Sequence, residues 1–446
     1  METTQIVAAV IFLLAVGMIV WGKVERTIVG MMGAGAMVLL GVMSEGEAFG
    51  FVDWNVIAIL FGVWIIATYF GKTGIPEYLA VLMLRLSKRN VAIFLTLMGV
   101  LSGFISMFVD NVVVILMMAP VALHVTRKLK LPSFPFVIFI GLGANFMGTA
   151  LLLGDLPPQM LHSVSGIEFP EFVWQMGRPA SFPILTVTFL LVSFLLYKYK
   201  FKKLFGATAI SQSAIDEVVG ASAISHIRNK PFAVAVMVFF LGTILAMALR
   251  QYTGLLLGFI AIIGMVSLVL VMELFQKKFN SPSFEEVIDA IEFKALIFYV
   301  VLFILVGGID HVGLIKAVAD AMAPFFSQNL ILGSTVLYWV TAPIVGIVEH
   351  DAYILVFLHL IKDLAASASV NPWPLWWLLL WAGTLGSNLT VAGAPALYVA
   401  QNICEKEDSC KIDIKQFFSY TVPFVLITLV ITFVLGMIIW VIPFSG

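Results

Sequence analysis

The sequence predicts an all-α polytopic membrane protein made of two inverted-topology repeats: about 10 transmembrane helices, two re-entrant helical hairpins and two broken helices. Three observations lead there. The 446 residues are 61% hydrophobic and 11% charged, with a mean hydropathy of +1.07. Soluble domains carry about 25% charged residues, so this chain lacks the polar surface to cover a globule in water. Two long apolar runs are interrupted by acids, FVDNVVVILMMA (108–119) and IVEHDAYILVFL (347–358), with Asp110 and Glu349 in matching places. Polar and Gly/Pro landmarks keep one spacing between the halves: Gly74 and Gly313, Asp110 and Glu349, Pro135 and Pro374, Gly154 and Gly393 are each 239 residues apart (349 − 110 = 239). Apolar background cannot enforce such a register, and weak internal similarity with opposite topology marks inverted-repeat transporters.

Composition also excludes classes. A net charge of −1 gives no reason for a nucleic-acid partner. No P-loop, Rossmann glycine pattern or metalloprotease motif occurs, so no cofactor, metal or ATP-driven cycle in this chain alone is expected. An enzyme is not expected either, since no nucleophile–base motif accompanies the carboxylates. No cleavable leader is read: Met1–Gln5 has no basic region, and residues 6–21 are followed by Lys23 and Arg26. Cys404 and Cys410 lie in CEKEDSCK, read as a solvated loop with neither a metal site nor a disulfide.

Along the chain, apolar segments at 6–21, 28–42 and 56–70 read as spans. Lys23 and Arg26 follow the first, and Glu45, Glu47 and Asp53 follow the second. Positive-inside logic puts the first loop in the cytoplasm and the second outside. The run 91–125 has basic groups at both ends: Arg85, Lys88 and Arg89 before it, Arg127, Lys128 and Lys130 after it. Both ends therefore sit on one side, and a re-entrant hairpin with Asp110 and Asn111 at its tip satisfies this. A broken helix at 134–161 and a span at 182–197 lead to basic KYKFKK (198–203). The first repeat is thus 1–203, a cytoplasmic linker 204–230, and the second repeat 231–446, with its hairpin at 331–361 and broken helix at 373–400. Each half has an odd number of crossings, so both termini fall on the non-cytoplasmic side of a plasma (inner) membrane.

The chemistry concentrates at the tips and breaks. A charge in mid-membrane costs roughly 2.5–3.5 kcal/mol on the insertion scale, so Asp110 is read as functional. The segments GLGANFMGTALLLGDLPPQML (141–161) and AGTLGSNLTVAGAPALYV (382–399) concentrate Gly, Asn, Thr and Pro. Pro frees backbone groups, which within a membrane need protein or a wet cavity as partners. Such breaks offer carbonyls to a cation and a half-helix N-terminus to an anion. Gly148, Gly154, Gly386 and Gly393 mark the breaks, with Asn145, Thr149, Ser387, Asn388 and Thr390 as neutral ligands; a Gly-rich packing face is the structural alternative. Asp155 before Leu-Pro-Pro is either an N-cap, a functional carboxylate, or both. Glu349, His350 and Asp351 form three adjacent titratable groups suited to carry a proton, unless the tip is a solvated turn. Asp310 and His311 read as an exposed helix end and His359 as a packing or hydrogen-bonded histidine.

FVDNVVVILMMAPV (108–121), GTALLLGDLPP (148–158), DWNVIAILFG (53–62), and LGSNLTVAGAPA (385–396) with the following EKE (405–407) resemble the ArsB/NhaD permeases of the ion transporter superfamily, which includes arsenite permeases, sodium/proton antiporters and the melanosomal P-protein. Citrate and dicarboxylate transporters are more distant relatives. The resemblance covers nearly the whole chain. It implies a scaffold of outer helices around two hairpins and two broken helices, an elevator-like displacement, and dimers in many members. It carries site roles to Asp110, Asn111, Thr149, Gly154 and Asp155, and to Asn388, Thr390 and Gly393. Two departures stand out: Glu349-His350 replaces a second Asp-Asn pair, and Leu156 and Gln159 alter Gly-Asp-Pro-Pro-Asn. The expected function is proton-coupled efflux of a small inorganic solute, arsenite or antimonite first. Asp110, Glu349, His350 and Asp351 would couple protons. Alternatives are Na⁺/H⁺ antiport with Asp110 and Asp155 as cation ligands, anion or carboxylate transport, and a passive ion channel or receptor. The anion reading is disfavoured because no Lys or Arg is expected near either tip. The expected partners are the solute, protons or Na⁺, and the lipid bilayer; a homodimer and a soluble ATPase subunit are left open.

Overall fold

The computed structural model of the chain describes residues 3–206, 208–212, 227, 229–408 and 414–445. Most of the expected linker and Cys410 lie outside these residues. The first half runs α1 (Thr3–Trp21), α2 (Arg26–Leu39), α3 (Glu45–Gly50), α4 (Trp54–Gly71), α5 (Ile75–Leu86), α6 (Val91–Ser106), α7 (Asn111–Lys128), α8 (Phe134–Gly148), α9 (Leu156–Ser165) and α10 (Ser181–Leu196). A two-residue hairpin of β1 (Trp174–Gln175) and β2 (Arg178–Pro179) precedes α10. The second half runs α11 (Lys230–Ala248), α12 (Leu257–Leu274), α13 (Phe293–His311), α14 (Leu314–Gln328), α15 (Leu330–Val345), α16 (His350–Ala368), α17 (Trp373–Ser387), α18 (Pro395–Asp408) and α19 (Ile414–Gly436). Among the described residues eight helices are long and apolar enough to cross a membrane. Only 11% of the α1 window is buried, so its apolar surface faces outward, as a lipid-contacting helix requires.

The spacing of 239 seen in the landmarks governs the helices themselves. Six consecutive helices of the second half, α13 to α18, begin 239 residues after α4 to α9: 54 and 293, 75 and 314, 91 and 330, 111 and 350, 134 and 373, 156 and 395. The local causes repeat too. Asn90 and Asn329 cap α6 and α15 by accepting from Ile93 N and Leu332 N (each two residues into the turn, 329 − 90 = 239). Gly74 and Gly313 enter α5 and α14 in the left-handed region, at φ +79° and +71°, which glycine alone adopts freely.

The halves interlock. Helix α2 packs on α13 and α12 on α4; α18 packs on α7 and α8, and α9 on α16 and α17. Asn145 Nδ2 donates to Thr384 O at 3.4 Å, and 384 − 145 = 239, so equivalent residues of α8 and α17 touch. Such a contact arises where the two copies meet at their pseudo-symmetry axis.

Two readings are corrected. Helices α5 and α14 sit between the third-span equivalents and the hairpins, and apolar runs did not reveal them because each mixes buried and exposed faces. Cys404 is not in a solvated loop. Helix α18 continues to Asp408, which places Cys404 on a fully buried face, and it is disulfide-bonded.

Candidate functional site

Helix pairs α6/α7 and α15/α16 form the two hairpins, and α8/α9 and α17/α18 flank breaks at 149–155 and 388–394, as the sequence indicates. The tips end in matching caps. Asp110 Oδ1 accepts from Val112 N and Val113 N (2.9 and 3.3 Å), and Glu349 Oε2 from Ala352 N (3.0 Å). An acid at a helix N-terminus meets unpaired N–H groups and the positive end of the dipole, which holds a carboxylate inside the membrane.

In the first half the tip is tied to the break by side chains. Asn111 Nδ2 donates to Asn145 Oδ1 (2.9 Å) and to Asp155 Oδ2 (2.8 Å), while Asp155 Oδ1 accepts from Leu156 N (2.9 Å). Asp155 therefore caps α9 and also ties it to the hairpin tip. Asn145 Nδ2 continues to Ser387 Oγ (3.1 Å), and Ser387 Oγ and Asn388 Nδ2 both donate to Thr384 O (2.8 and 3.3 Å). One network thus joins both halves.

In the second half the triplet is buried, not a solvated turn: Glu349, His350 and Asp351 are at most 5% exposed. His350 Nδ1 lies 2.9 Å from the Gly393 carbonyl, which can only accept. The neutral ring then presents Nε2 as an acceptor, 3.3 Å from Asp351 Oδ1, and neither atom has another partner among the described residues. At 3.3 Å the two atoms are placed to share one proton. The three side chains bring their ligand atoms within 4.8 Å of one another. Helix capping and the Gly393 bond leave too few donors for the three or four protein ligands of a zinc site.

The break glycines explain the close approach. A Cβ on Gly154 would lie 2.2 Å from Ser106 O and 2.6 Å from Gly148 O; on Gly393, 2.4 Å from Val345 O and 2.7 Å from Ser387 O. These pairs are equivalent in the repeat (345 − 106 = 387 − 148 = 239). A Cβ on Gly386 would likewise lie 2.3 Å from Ala342 O, and one on Gly148 would lie 3.1 Å from the Asp155 Cβ. Thr390 is not aimed at the network. Its hydroxyl donates to Gly346 O (2.5 Å) and accepts from Ala392 N and Gly393 N, bracing break to tip. Thr149 Oγ1 and Asn388 Oδ1, also 239 apart, are buried with no partner among the described residues.

A cavity of about 820 Å³ lies against both tips, and Asp110 and Glu349 line it together. Asn111, Asn145, Thr149, Asp155, Ser387, Asn388 and Thr390 do not reach its wall. Arg26 does, with Lys294 and Lys406. Arg26 Nη1 donates to Glu349 Oε1 at 3.5 Å. This corrects the expectation that no cation approaches a tip. Arg26 reads as a loop charge because what brings it to Glu349 is packing between halves, 323 residues apart. Trp64 and Tyr299 also line the cavity and resemble any aromatic in a span. Thr384 had a usable signal, its 239-residue spacing from Asn145. Outside the tips, His359 Nδ1 pairs with Asp310 Oδ2 (3.3 Å) and His311 Nε2 with Glu47 Oε1 (3.6 Å).

This fold, with acids held at two hairpin tips around a shared cavity, defines a polytopic membrane transporter of a small solute, not an enzyme. The family model described as CitMHS, citrate transporter, matches residues 16–382. The chain belongs to that family. An uncharacterized transporter of Mycobacterium tuberculosis is 27% identical over 412 residues, covering 90% of this chain and 91% of that one. The human P protein is 23% identical over 484 residues, covering 91% of this chain and 56% of the P protein. Among solved structures, the antimetabolite efflux pump MtrF of Neisseria gonorrhoeae superposes with a TM-score of 0.59 at 15% identity, covering 99% and 95% of the two chains. The YdaH transporter of Alcanivorax borkumensis gives 0.59 at 12%, covering 98% of each. These two likenesses speak to the fold alone. The superfamily resemblance is thus met through the citrate transporter family and the P protein.

Proposed function

We propose that the protein is a proton-coupled secondary transporter of a small organic carboxylate of the citrate class. The observation that carries the solute class is the cavity of about 820 Å³, on whose wall three cations, Arg26, Lys294 and Lys406, stand among the carboxylates Glu25, Asp110, Glu292 and Glu349, so that a small organic acid entering it meets a guanidinium and two ammonium groups. Arsenite or antimonite, and Na⁺ in antiport, are the rival solutes; they are small for this volume and need no guanidinium. The family's printed description, citrate transporter, supports the same choice.

In this reading residues 1–203 and 231–446 are the inverted repeats, with the termini on the non-cytoplasmic side. Gly22 and Glu25 are among the residues that line the cavity, and loop charges assign their loop to the cytoplasmic side. Hairpins and broken helices move against the outer helices as an elevator. Asp110, Glu349, His350 and Asp351 carry the proton, with the His350–Asp351 pair supporting that role. Asn111, Asn145, Asp155, Ser387 and Thr390 hold tips to breaks, and the unpaired Thr149 and Asn388 offer ligand atoms when the site rearranges.

The test is uptake into proteoliposomes with an imposed pH gradient, using labelled citrate, arsenite and Na⁺ in parallel arms. Asp110→Asn keeps a side-chain oxygen for the α7 cap and loses the titrating group. It is expected to cut gradient-driven citrate flux on the order of tenfold or more. Gradient-driven arsenite or Na⁺ flux without citrate flux overturns the solute class. Undiminished coupled flux in Asp110→Asn overturns the role given to Asp110.

A further inference from the structure

We propose that Arg26 is the residue that binds a carboxylate of the transported solute, and that Glu349 is an internal carboxylate competing for the same guanidinium. This deepens the carboxylate reading above and rests on it.

The position is built, not incidental. Glu25 caps α2 by accepting from Thr27 N and Ile28 N (3.0 and 3.2 Å), and Thr27 Oγ1 donates to Lys294 O (3.1 Å), fastening the start of α2 to the start of α13. The Arg26 Cζ lies 4.5 Å from the centroid of the Phe298 ring, which fixes the guanidinium plane by cation–π attraction. The side chain is 27% exposed and faces the cavity.

Its bonding is unfinished. A guanidinium carries five N–H donors in a fork that matches a carboxylate edge. Among the described residues only Nη1 finds an acceptor, at 3.5 Å, well beyond the roughly 2.7–2.9 Å of a strong charge-assisted pair. Glu349 cannot improve the fit, because its Oε2 is held by Ala352 N at the α16 cap. A solute carboxylate has no such tether and can take the fork bidentately. Lys294 and Lys406 line the cavity but are exposed. They attract an anion from solvent without fixing its orientation, a task for which a hydrated ammonium is poorly suited.

Binding of labelled citrate to the purified full-length protein in detergent tests this. The variants are R26Q, R26K, E349Q and the double variant R26Q/E349Q, with unliganded thermal unfolding of each measured alongside. R26Q is expected to weaken citrate binding about 10- to 100-fold. R26K should recover little of it, since an ammonium cannot reproduce the fork; it also supplies the reading should R26Q fail to fold. E349Q retains an oxygen for the α16 cap, removes the competitor, and should tighten citrate binding, but only where Arg26 is present. Wild-type affinity in R26Q, or equal tightening by E349Q with and without Arg26, overturns the role of Arg26 alone. A wild type that binds neither citrate, succinate nor malate overturns the carboxylate reading and this inference together.

Discussion

Replacing Gly154 or Gly393 by alanine tests the seam between hairpin and break at both of its copies. At Gly154 the added carbon would sit 2.2 Å from Ser106 O, and contacts under 3.0 Å are essentially never made by real Cβ atoms. The seam must open by at least 3.0 − 2.2 = 0.8 Å there, and by 3.0 − 2.4 = 0.6 Å at Gly393 against Val345 O. Both obstacles are backbone carbonyls, so no side chain can rotate away. Overpacking of this kind costs about 1–3 kcal/mol, against about 0.4–1 kcal/mol gained from a stiffer unfolded chain. The adjacent bond from Asn111 Nδ2 to Asp155 Oδ2, 2.8 Å long, would stretch toward 2.8 + 0.8 = 3.6 Å and cease to be a hydrogen bond. Gly17→Ala is the control. Its Cβ meets nothing within 4 Å, and within α1 alanine should stabilise by up to about 1 kcal/mol. The assay is thermal unfolding of detergent-purified protein paired with citrate uptake. Both seam variants should melt below wild type and lose flux, while Gly17→Ala does neither. A Gly154→Ala protein that melts at wild-type temperature with full flux would refute the seam argument, and a penalty at only one glycine would refute the equivalence of the halves.

Two further outcomes follow from the same geometry. Asn111→Ala leaves Asp155 Oδ2 and Asn145 Oδ1 without the donor they share, at about 1–3 kcal/mol for each buried orphan. It should therefore lower the unfolding midpoint more than Asn329→Ala, which forfeits a single exposed cap worth about 0.5–2 kcal/mol; the reverse order would contradict the network. On the surface, the Ser44 backbone N–H and then its hydroxyl hold the Glu47 carboxyl below its usual 4.5, with His311 adding attraction. A depressed carboxylate stabilises above its unfolded pKa and loses that contribution as pH falls through the folded value. Protection of the α3 amides against exchange should accordingly fall below about pH 4.5; Glu47→Gln should remove this dependence, and Ser44→Ala, which keeps the backbone N–H, should only reduce it.

What could be read in the sequence is what a membrane makes expensive. Asp110 and Glu349 declare themselves because a charge amid apolar residues must have a reason, and Gly154 and Gly393 because glycine and proline at a helix break need a compensating contact. These landmarks also carried the 239-residue register that relates α4 to α9 with α13 to α18. Contacts between halves left no such trace. Arg26 belongs by sequence to a short basic loop, and only the packing of α2 on α13 carries it to Glu349. Trp64 and Tyr299 differ in nothing local from the aromatics that face lipid. Helices α5 and α14 escaped because amphipathic helices of 12 and 15 residues give no long apolar run.

The two halves agree in scaffold and disagree in chemistry, and the disagreement is ordered. Asp155 at the first break corresponds to Ala394 at the second, while Val112 on the first hairpin corresponds to Asp351 on the second (394 − 155 = 351 − 112 = 239). Each half therefore keeps two acids near its tip, but in the second half one of them has passed from the break to the hairpin. In the first half a carboxamide clamps tip to break through two side chains, Asn145 and Asp155. In the second, the ties are a single imidazole contact to the Gly393 carbonyl and the Thr390 hydroxyl to Gly346 O. The acids and the imidazole of the second tip sit on the same hairpin, and of them Glu349 meets Arg26 at the cavity wall. The first half is cross-braced by two side-chain bonds from one carboxamide, one to the Asn145 amide and one to the Asp155 carboxyl. The second is held by one imidazole and one hydroxyl, each on a backbone carbonyl, so the same seam is closed by side chain against side chain in one copy and by side chain against backbone in the other.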